Sequence, residues 1–319
     1  MNSVIIDGLS FTLPLFIMAV GGIYSERSGI TNLALEGFQG FGAFFGALIA
    51  VILSKSLPSS SQIPFYAALA GAFIGGGLFA LIHAELCIRF KANQVISGVV
   101  INILAMSLTS FLTKQINKNV FGAASDKFLL TVSKRYSIPV LSKIPVLGAF
   151  FKNMYPYEWI ILAAALIAWY VLYRTNFGLH LRACGDNPHA VDAAGLSVLS
   201  IRYRAVLISG ALSGLAGICF AYSILANFSS SLYMGFGYLS IAALIFGNWN
   251  MLPTLAACFL FGFARSGGQQ IVKVMGLPSA YSDLIMILPY VLTLLLLIFF
   301  SKHNRSPRAL GEVYDKGSR

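Results

Sequence analysis

The chain has 319 residues, 57% of them hydrophobic and only 10% charged, with a formal net charge of +11. A mean hydropathy of +0.79 excludes an ordinary soluble domain. The positive excess is not read as a nucleic-acid patch, because Lys and Arg flank long apolar runs, where such residues orient membrane spans.

In chain order, apolar runs predict spans near 8–24, 33–53, 63–86, 94–113, 156–173, 204–226, 236–250, 252–272 and 281–300. Only helices or closed barrels satisfy the backbone within a bilayer. These runs are too long and too weakly alternating for barrel strands. The expected fold is therefore all-α: a polytopic membrane bundle of about nine transmembrane helices over residues 1–300. The seventh run is short, and it nearly touches the eighth at Asn248–Leu252. Small residues recur at helical spacing in Gly42 and Gly46, Gly71 and Gly75, and Gly210 and Gly214, the pattern of close helix contact in lipid.

No Lys or Arg precedes the first run and Arg27 follows it, which places the N-terminus outside. The first run is read as a span rather than a signal peptide, since it lacks a basic leader and a small-residue cleavage site. Alternation then puts 25–32, 87–93, 174–203, 248–251 and 301–319 in the cytoplasm. The short loops support this orientation. The outer loop 114–155, with seven Lys and Arg, strains it. That loop carries IPVLGAFF (144–151), too short to span. The tail 301–319 is basic and is expected to be mobile.

Charge inside a membrane is costly and therefore informative. Glu36, Glu158 and Asp283 are expected in first helical turns, where a helix N-terminus favours negative charge. Thr31 or Asn32 can cap the helix that contains Glu36. Asn102 lies mid-span. Arg265 and Gln269 lie in ARSGGQQ, where Gly267–Gly268 suggests a broken helix. Two readings stand side by side for these groups: a polar solute pathway, or snorkelling and interhelical glue. No carboxylate chain crosses the membrane, so ion coupling has little to work with. Catalytic motifs such as HExxH and GxSxG are absent. Cys87, Cys184, Cys219 and Cys258 form no CxxC pair, and the four histidines are expected on solvated edges. No Gly–Lys pair occurs, so there is no Walker A loop, and any ATPase must be another chain.

LRACGDNPHAVDAAGLS (181–197) is a polar island. Asn187 suits an N-cap, Pro188 the first helical position and Gly195 the stop. The resulting helix of about 10 Å is too short to stand alone in water. It therefore needs a neighbour, and Ala190, Val191, Ala193 and Ala194 offer a smooth surface, with His189 and Asp192 facing water.

ERSGITNLALEGFQGFGAFFGA (26–47), FGLHLRACGDNPHAVDAAGLSVLSIRYRAVLISGALSGLAGI (177–218) and GFGYLSIAALIFGNWNMLP (235–253) resemble permease subunits of bacterial ABC importers for simple sugars and nucleosides. The first block looks most like the nucleoside branch. The resemblance implies a multi-pass subunit of the bacterial cytoplasmic membrane that imports nucleosides, or alternatively a simple sugar such as ribose or galactose. It implies a second permease, identical or sister, and an ABC ATP-binding subunit that uses ATP and Mg²⁺, while this chain binds no cofactor. It also implies an extracytoplasmic substrate-binding lipoprotein. The ATPase-coupling helix falls on Asp186, Asn187, Pro188, His189, Ala190, Asp192, Ala193, Ala194 and Gly195, although the family often has Glu at the position of Asp186 and a basic residue at that of His189. The deep polar residues Glu36, Asn102, Arg265 and Gln269 are the substrate-pathway candidates. A stand-alone secondary transporter or channel is the competing class.

Overall fold

The structure, a computed structural model, describes residues 2–131, 134–140, 142, 147–224, 226–231, 234–276 and 305–317, together with 278, 281, 287–291, 293 and 295. Ten helices are assigned: α1 (Asn2–Arg27), α2 (Leu35–Ser56), α3 (Ile63–Ala84), α4 (Gln94–Val120), α5 (Pro156–Arg174), α6 (Asn176–Asp186), α7 (Pro188–Ala193), α8 (Val198–Ile224), α9 (Phe236–Phe246) and α10 (Met251–Met275). A π-helical turn, Glu85–Arg89, extends α3. One two-residue antiparallel pair, β1 (Phe128–Leu129) with β2 (Asn227–Phe228), clasps two loops.

Among the described residues, six helices are long and apolar enough to cross a membrane: Val4–Arg27, Leu35–Ser56, Ile63–Arg89, Gln94–Val120, Pro156–Arg174 and Val198–Ile224. They coincide with the first six predicted runs, and the expected total of about nine is not reached among the described residues. The seventh run is the 11-residue helix α9, about 16 Å long and so only half a bilayer core. The eighth is α10, whose 25 residues are long enough but whose second half is polar. The ninth, 281–300, lies largely outside the described residues. The expected break at Gly267–Gly268 does not occur, since α10 runs through both glycines.

The centre of the bundle is α1 against α8, both largely buried. Three backbones meet there. A Cβ on Gly42 would strike Gly214 and Ala72, one on Gly76 would strike Gly210, and one on Gly214 would strike Ala72. In lipid there is little hydrophobic gain between helices, so such close backbone packing is what holds α2, α3 and α8 together. The outer helices differ. On α4, Ile96, Val100, Ile103 and Phe111 are exposed, as are Leu166, Ile167 and Tyr170 on α5, which suits a face toward lipid.

All five segments expected in the cytoplasm lie at one end. Arg27 Nε donates to the Trp249 carbonyl (3.1 Å), Arg202 Nε to the Ser28 carbonyl (3.2 Å) and the Ala309 amide to the Gly185 carbonyl (2.8 Å). Lys91 pairs with Asp315 (3.0 Å). The tail is therefore docked over 305–317 rather than loose, because its backbone has partners on α6, α8 and the loop after α1. His83 also departs from expectation: it is fully buried, and its Nδ1 lies 2.8 Å from Ser97 Oγ.

Candidate functional site

Two helices begin inside the membrane rather than at its surface. After Arg27 the chain re-enters the bundle as an extended loop, 28–34. Asn32 Nδ2 there donates to Ser209 Oγ at 2.9 Å. Ser209 lies about 16 Å along α8, whose 27 residues extend about 40 Å. The helix α2 therefore starts near mid-depth, and Glu36 in its first turn is a deep carboxylate. The expected cap is realised differently: Asn32 Oδ1 accepts from the Ala34 amide (3.0 Å), while Ala34 itself is the N-cap residue. The short helix α9 rises from the Trp249 end and points its own N-terminus to the same depth.

The two N-termini meet at Glu36 and Asn102. Glu36 Oε2 accepts from the Gly235 amide (2.8 Å), so a carboxylate occupies the positive end of the α9 dipole. Asn102 bridges three elements. Its Oδ1 accepts from the Gly37 amide (2.7 Å), and its Nδ2 donates to the Leu33 carbonyl (2.8 Å) and the Tyr238 hydroxyl (3.3 Å). Gly235 has φ +94°, a left-handed conformation that side chains disfavour. Beside these groups lies a cavity of about 240 Å³ lined by Glu36, Asn102, Met106, Ser230, Met234 and Tyr238, among others. Broken helices with termini aimed at a midplane cavity are the arrangement in which irregular backbone is tolerated in lipid.

Arg265 and Gln269 are elsewhere. They line a separate cavity of about 200 Å³ with Asp7, Ser10, Phe11 and Ser223, at the end opposite the Arg27–Trp249 cluster. The Arg265 guanidinium lies over the Phe11 ring at 4.4 Å and near Phe236 at 5.7 Å. Phe236 directly follows Gly235, and it also touches Phe220 (4.9 Å). An aromatic cluster thus stands beside the α9 N-terminus, on the side toward Arg265. The four pathway candidates form two sites instead of one.

At the Arg27–Trp249 end of the bundle, the polar island folds as its caps dictate. Asn187 Oδ1 accepts from the Ala190 amide (3.0 Å), Pro188 opens α7, and Gly195 stops it at φ +79°. His189, Ala190, Ala193, Ala194 and Gly195 are exposed, as is Asp186. Val191 is instead buried, so it holds the helix down and is not part of the outer surface. Residues that sequence reasoning passed over complete the picture. Tyr238 joins the deep cavity, Glu26 accepts from the Trp249 indole (2.5 Å), and Tyr314 packs its ring on His189 (5.3 Å). Tyr238 and Trp249 lie within a recognised block, but nothing in their spacing marks a partner. Among the described residues no cluster of His, Cys, Asp and Glu could hold a metal ion.

Comparison with known proteins follows this geometry. The family described as "Branched-chain amino acid transport system / permease component" matches residues 4–297. A guanosine ABC transporter permease protein of Bacillus subtilis is 38% identical over 315 residues, covering 98% of this chain and 96% of the relative. A nucleoside ABC transporter permease protein of Lactococcus lactis is 35% identical over 317 residues, covering 98% and 96%. A putative glucose ABC transporter permease protein of Haloferax volcanii is 29% identical over 252 residues, covering 78% and 71%.

Proposed function

The chain belongs to the family of branched-chain amino acid transport permease components, and from that premise we propose that it is the membrane-spanning permease subunit of an ATP-driven importer of nucleosides. The observation that carries the reading is the midplane cavity at Glu36, Asn102 and Tyr238, where two helix N-termini converge. A carboxylate and an amide can hold the hydroxyls and the base edge of a nucleoside, and a tyrosine ring can stack on the base. At about 240 Å³ the cavity is smaller than the roughly 300–1,000 Å³ of complete ligand sites. Its rim on α4, at Ile103 and Met106, is exposed, and in this reading a second permease subunit covers that rim and completes the site. Nucleoside names among the most similar full-length relatives favour this solute over a simple sugar.

In this reading, residues 1–300 form the translocating unit and α7 is the coupling helix. An ABC ATP-binding subunit seats Asp186–Gly195 and carries the ATP and Mg²⁺ chemistry, so this chain needs no cofactor of its own. A substrate-binding lipoprotein delivers solute at the opposite end, to the cavity of Arg265 and Gln269. Closure of the ATPase pair moves α7, and solute follows because the two states bind it differently.

Labelled guanosine uptake into cells, with ribose and galactose as competitors, tests the solute. Depleting ATP while holding ion gradients tests the class. Uptake is expected to stop, and to be blocked by unlabelled nucleosides only. Ala193→Glu places a charge on the exposed face of α7 and is expected to abolish uptake with the subunit still in the membrane. Undiminished uptake by that variant would remove the coupling role of α7.

A further inference from the structure

The tail packs on α6, α7, α8 and the loop after α1. Pro307, Ala309 and Tyr314 are buried. The Ala309 amide donates to the Gly185 carbonyl (2.8 Å) at the end of α6, and the Gly311 amide donates to the Gly29 carbonyl (3.0 Å) at the start of the re-entrant loop. Arg202 is 2% exposed and has no carboxylate partner among the described residues. Its guanidinium is held by backbone oxygens, Nε on Ser28 (3.2 Å) and Nη1 on Glu312 (3.1 Å). Its Nη2 is buried without a hydrogen bond among the described residues, so the cation depends on these two carbonyls and on both strands of main chain that carry them. The buried Tyr314 ring packs against the exposed His189 of α7 (5.3 Å), and Lys316 lies 3.7 Å from Asp192 on the same helix.

These contacts form one continuous chain of packed groups. It runs from α7 through Tyr314 and Lys316 to Glu312, then to Arg202 and Gly29, then along loop 28–34 to Asn32, Leu33 and Glu36. Its far end is the midplane cavity, since Leu33 accepts from Asn102 and Glu36 from Gly235. We propose that residues 305–316 are a coupling strap: they tie the motion of α7 to loop 28–34, so that ATP hydrolysis in the partner moves solute only while the strap is seated. This rests on the reading of α7 as the coupling helix.

The geometry suits a part that shifts rather than a fixed anchor. A cavity of about 460 Å³ lies between the strap, the π-helical turn and the end of α7, lined by Ile88, Lys91, Asp192, Leu199, Tyr314 and Lys316. It gives the strap room to move. The two ion pairs, Lys91–Asp315 and Lys316–Asp192, are solvent-exposed and therefore weak holds. The firm holds are the backbone bonds near Gly29 and Gly185, at the α1 end. The strap is thus fixed at one end and easily released at the α7 end.

The test uses the full complex of permeases, ATP-binding subunit and binding protein in liposomes, with guanosine uptake and ATP hydrolysis measured together. Truncation after Ser306, and separately Tyr314→Ala, is expected to keep the complex assembled and hydrolysing ATP, while guanosine moved per ATP falls roughly tenfold. Tyr314→Ala carries the test if the truncated chain fails to accumulate. An unchanged ratio of guanosine to ATP in Tyr314→Ala overturns the strap. So does joint loss of hydrolysis and uptake with dissociation of the ATP-binding subunit, which would make the tail a docking surface instead. Ala193→Glu separates the two readings. Full uptake there refutes α7 as the coupling helix, whereas a blocked Ala193→Glu beside an unaffected Tyr314→Ala refutes the strap alone.

Discussion

At the scale of single residues, the deep site depends on Asn102 more than on any charge. Its amide makes three hydrogen bonds that join the re-entrant loop, α2, α4 and α9. With each bond contributing about 1 kcal/mol, Asn102→Ala is expected to destabilise the subunit by about 2–3 kcal/mol. Thermal unfolding in detergent reads this as a lower midpoint, and guanosine uptake reads it as a higher KM. An unchanged midpoint would mean the bridge carries no load. Asn102 and Glu36 were legible from the sequence because polar groups in apolar runs are conspicuous. Their meeting was not legible, since Asn102 bonds to residues more than 60 positions away. Arg265 shows the reverse limit. Its polarity marked it correctly as unusual, but only the packing of α10 on α1, through Ser266 on Val4 and Thr12 on Cys258, sets it in the other cavity.

At the scale of elements, the informative helices are the short ones. The caps of α7 were readable because Asn, Pro and Gly act locally, within a turn of the residue itself. The depth of α9 was not readable, because 11 apolar residues look the same at a membrane surface and at its middle. What sets the depth is the hairpin at Gly247–Asn250, which Arg27 and Glu26 pin from α1. The false break at Gly267–Gly268 has the same origin: glycine permits a bend but does not impose one, and the bonds of α10 are complete. The start of α9 does require its glycine. At φ +94° an added Cβ costs about 1–2 kcal/mol, and it would also meet the Tyr290 hydroxyl. Gly235→Ala is therefore expected to displace the α9 N-terminus from Glu36 and lower guanosine uptake about tenfold at normal membrane levels. Wild-type uptake would show that the carboxylate–helix contact is dispensable.

At the scale of the whole molecule, the loops that charge groups together are also grouped by packing. Charge in the short loops predicts that 25–32, 87–93, 174–203, 248–251 and 301–319 share the cytoplasmic side, and the described parts of all five gather at one end through Arg27–Trp249, Gly185–Ala309 and Lys91–Asp315. The basic loop 114–155 strained the charge argument. Its described part follows the far end of α4 and pairs through β1 with the segment after α8, which puts it at the end opposite the five grouped loops. The four native cysteines are all buried, which makes single-cysteine labelling clean. Ser60, in the exposed turn between α2 and α3, and Ala194, just after α7, lie at opposite ends. Ser60→Cys is expected to react with a membrane-impermeant maleimide in intact cells, and Ala194→Cys only after permeabilisation. The reverse pattern would invert the molecule, and it would place α7 and the tail packed on it where no ATP-binding subunit could reach them, which would refute both the proposed coupling role of α7 and the proposed strap.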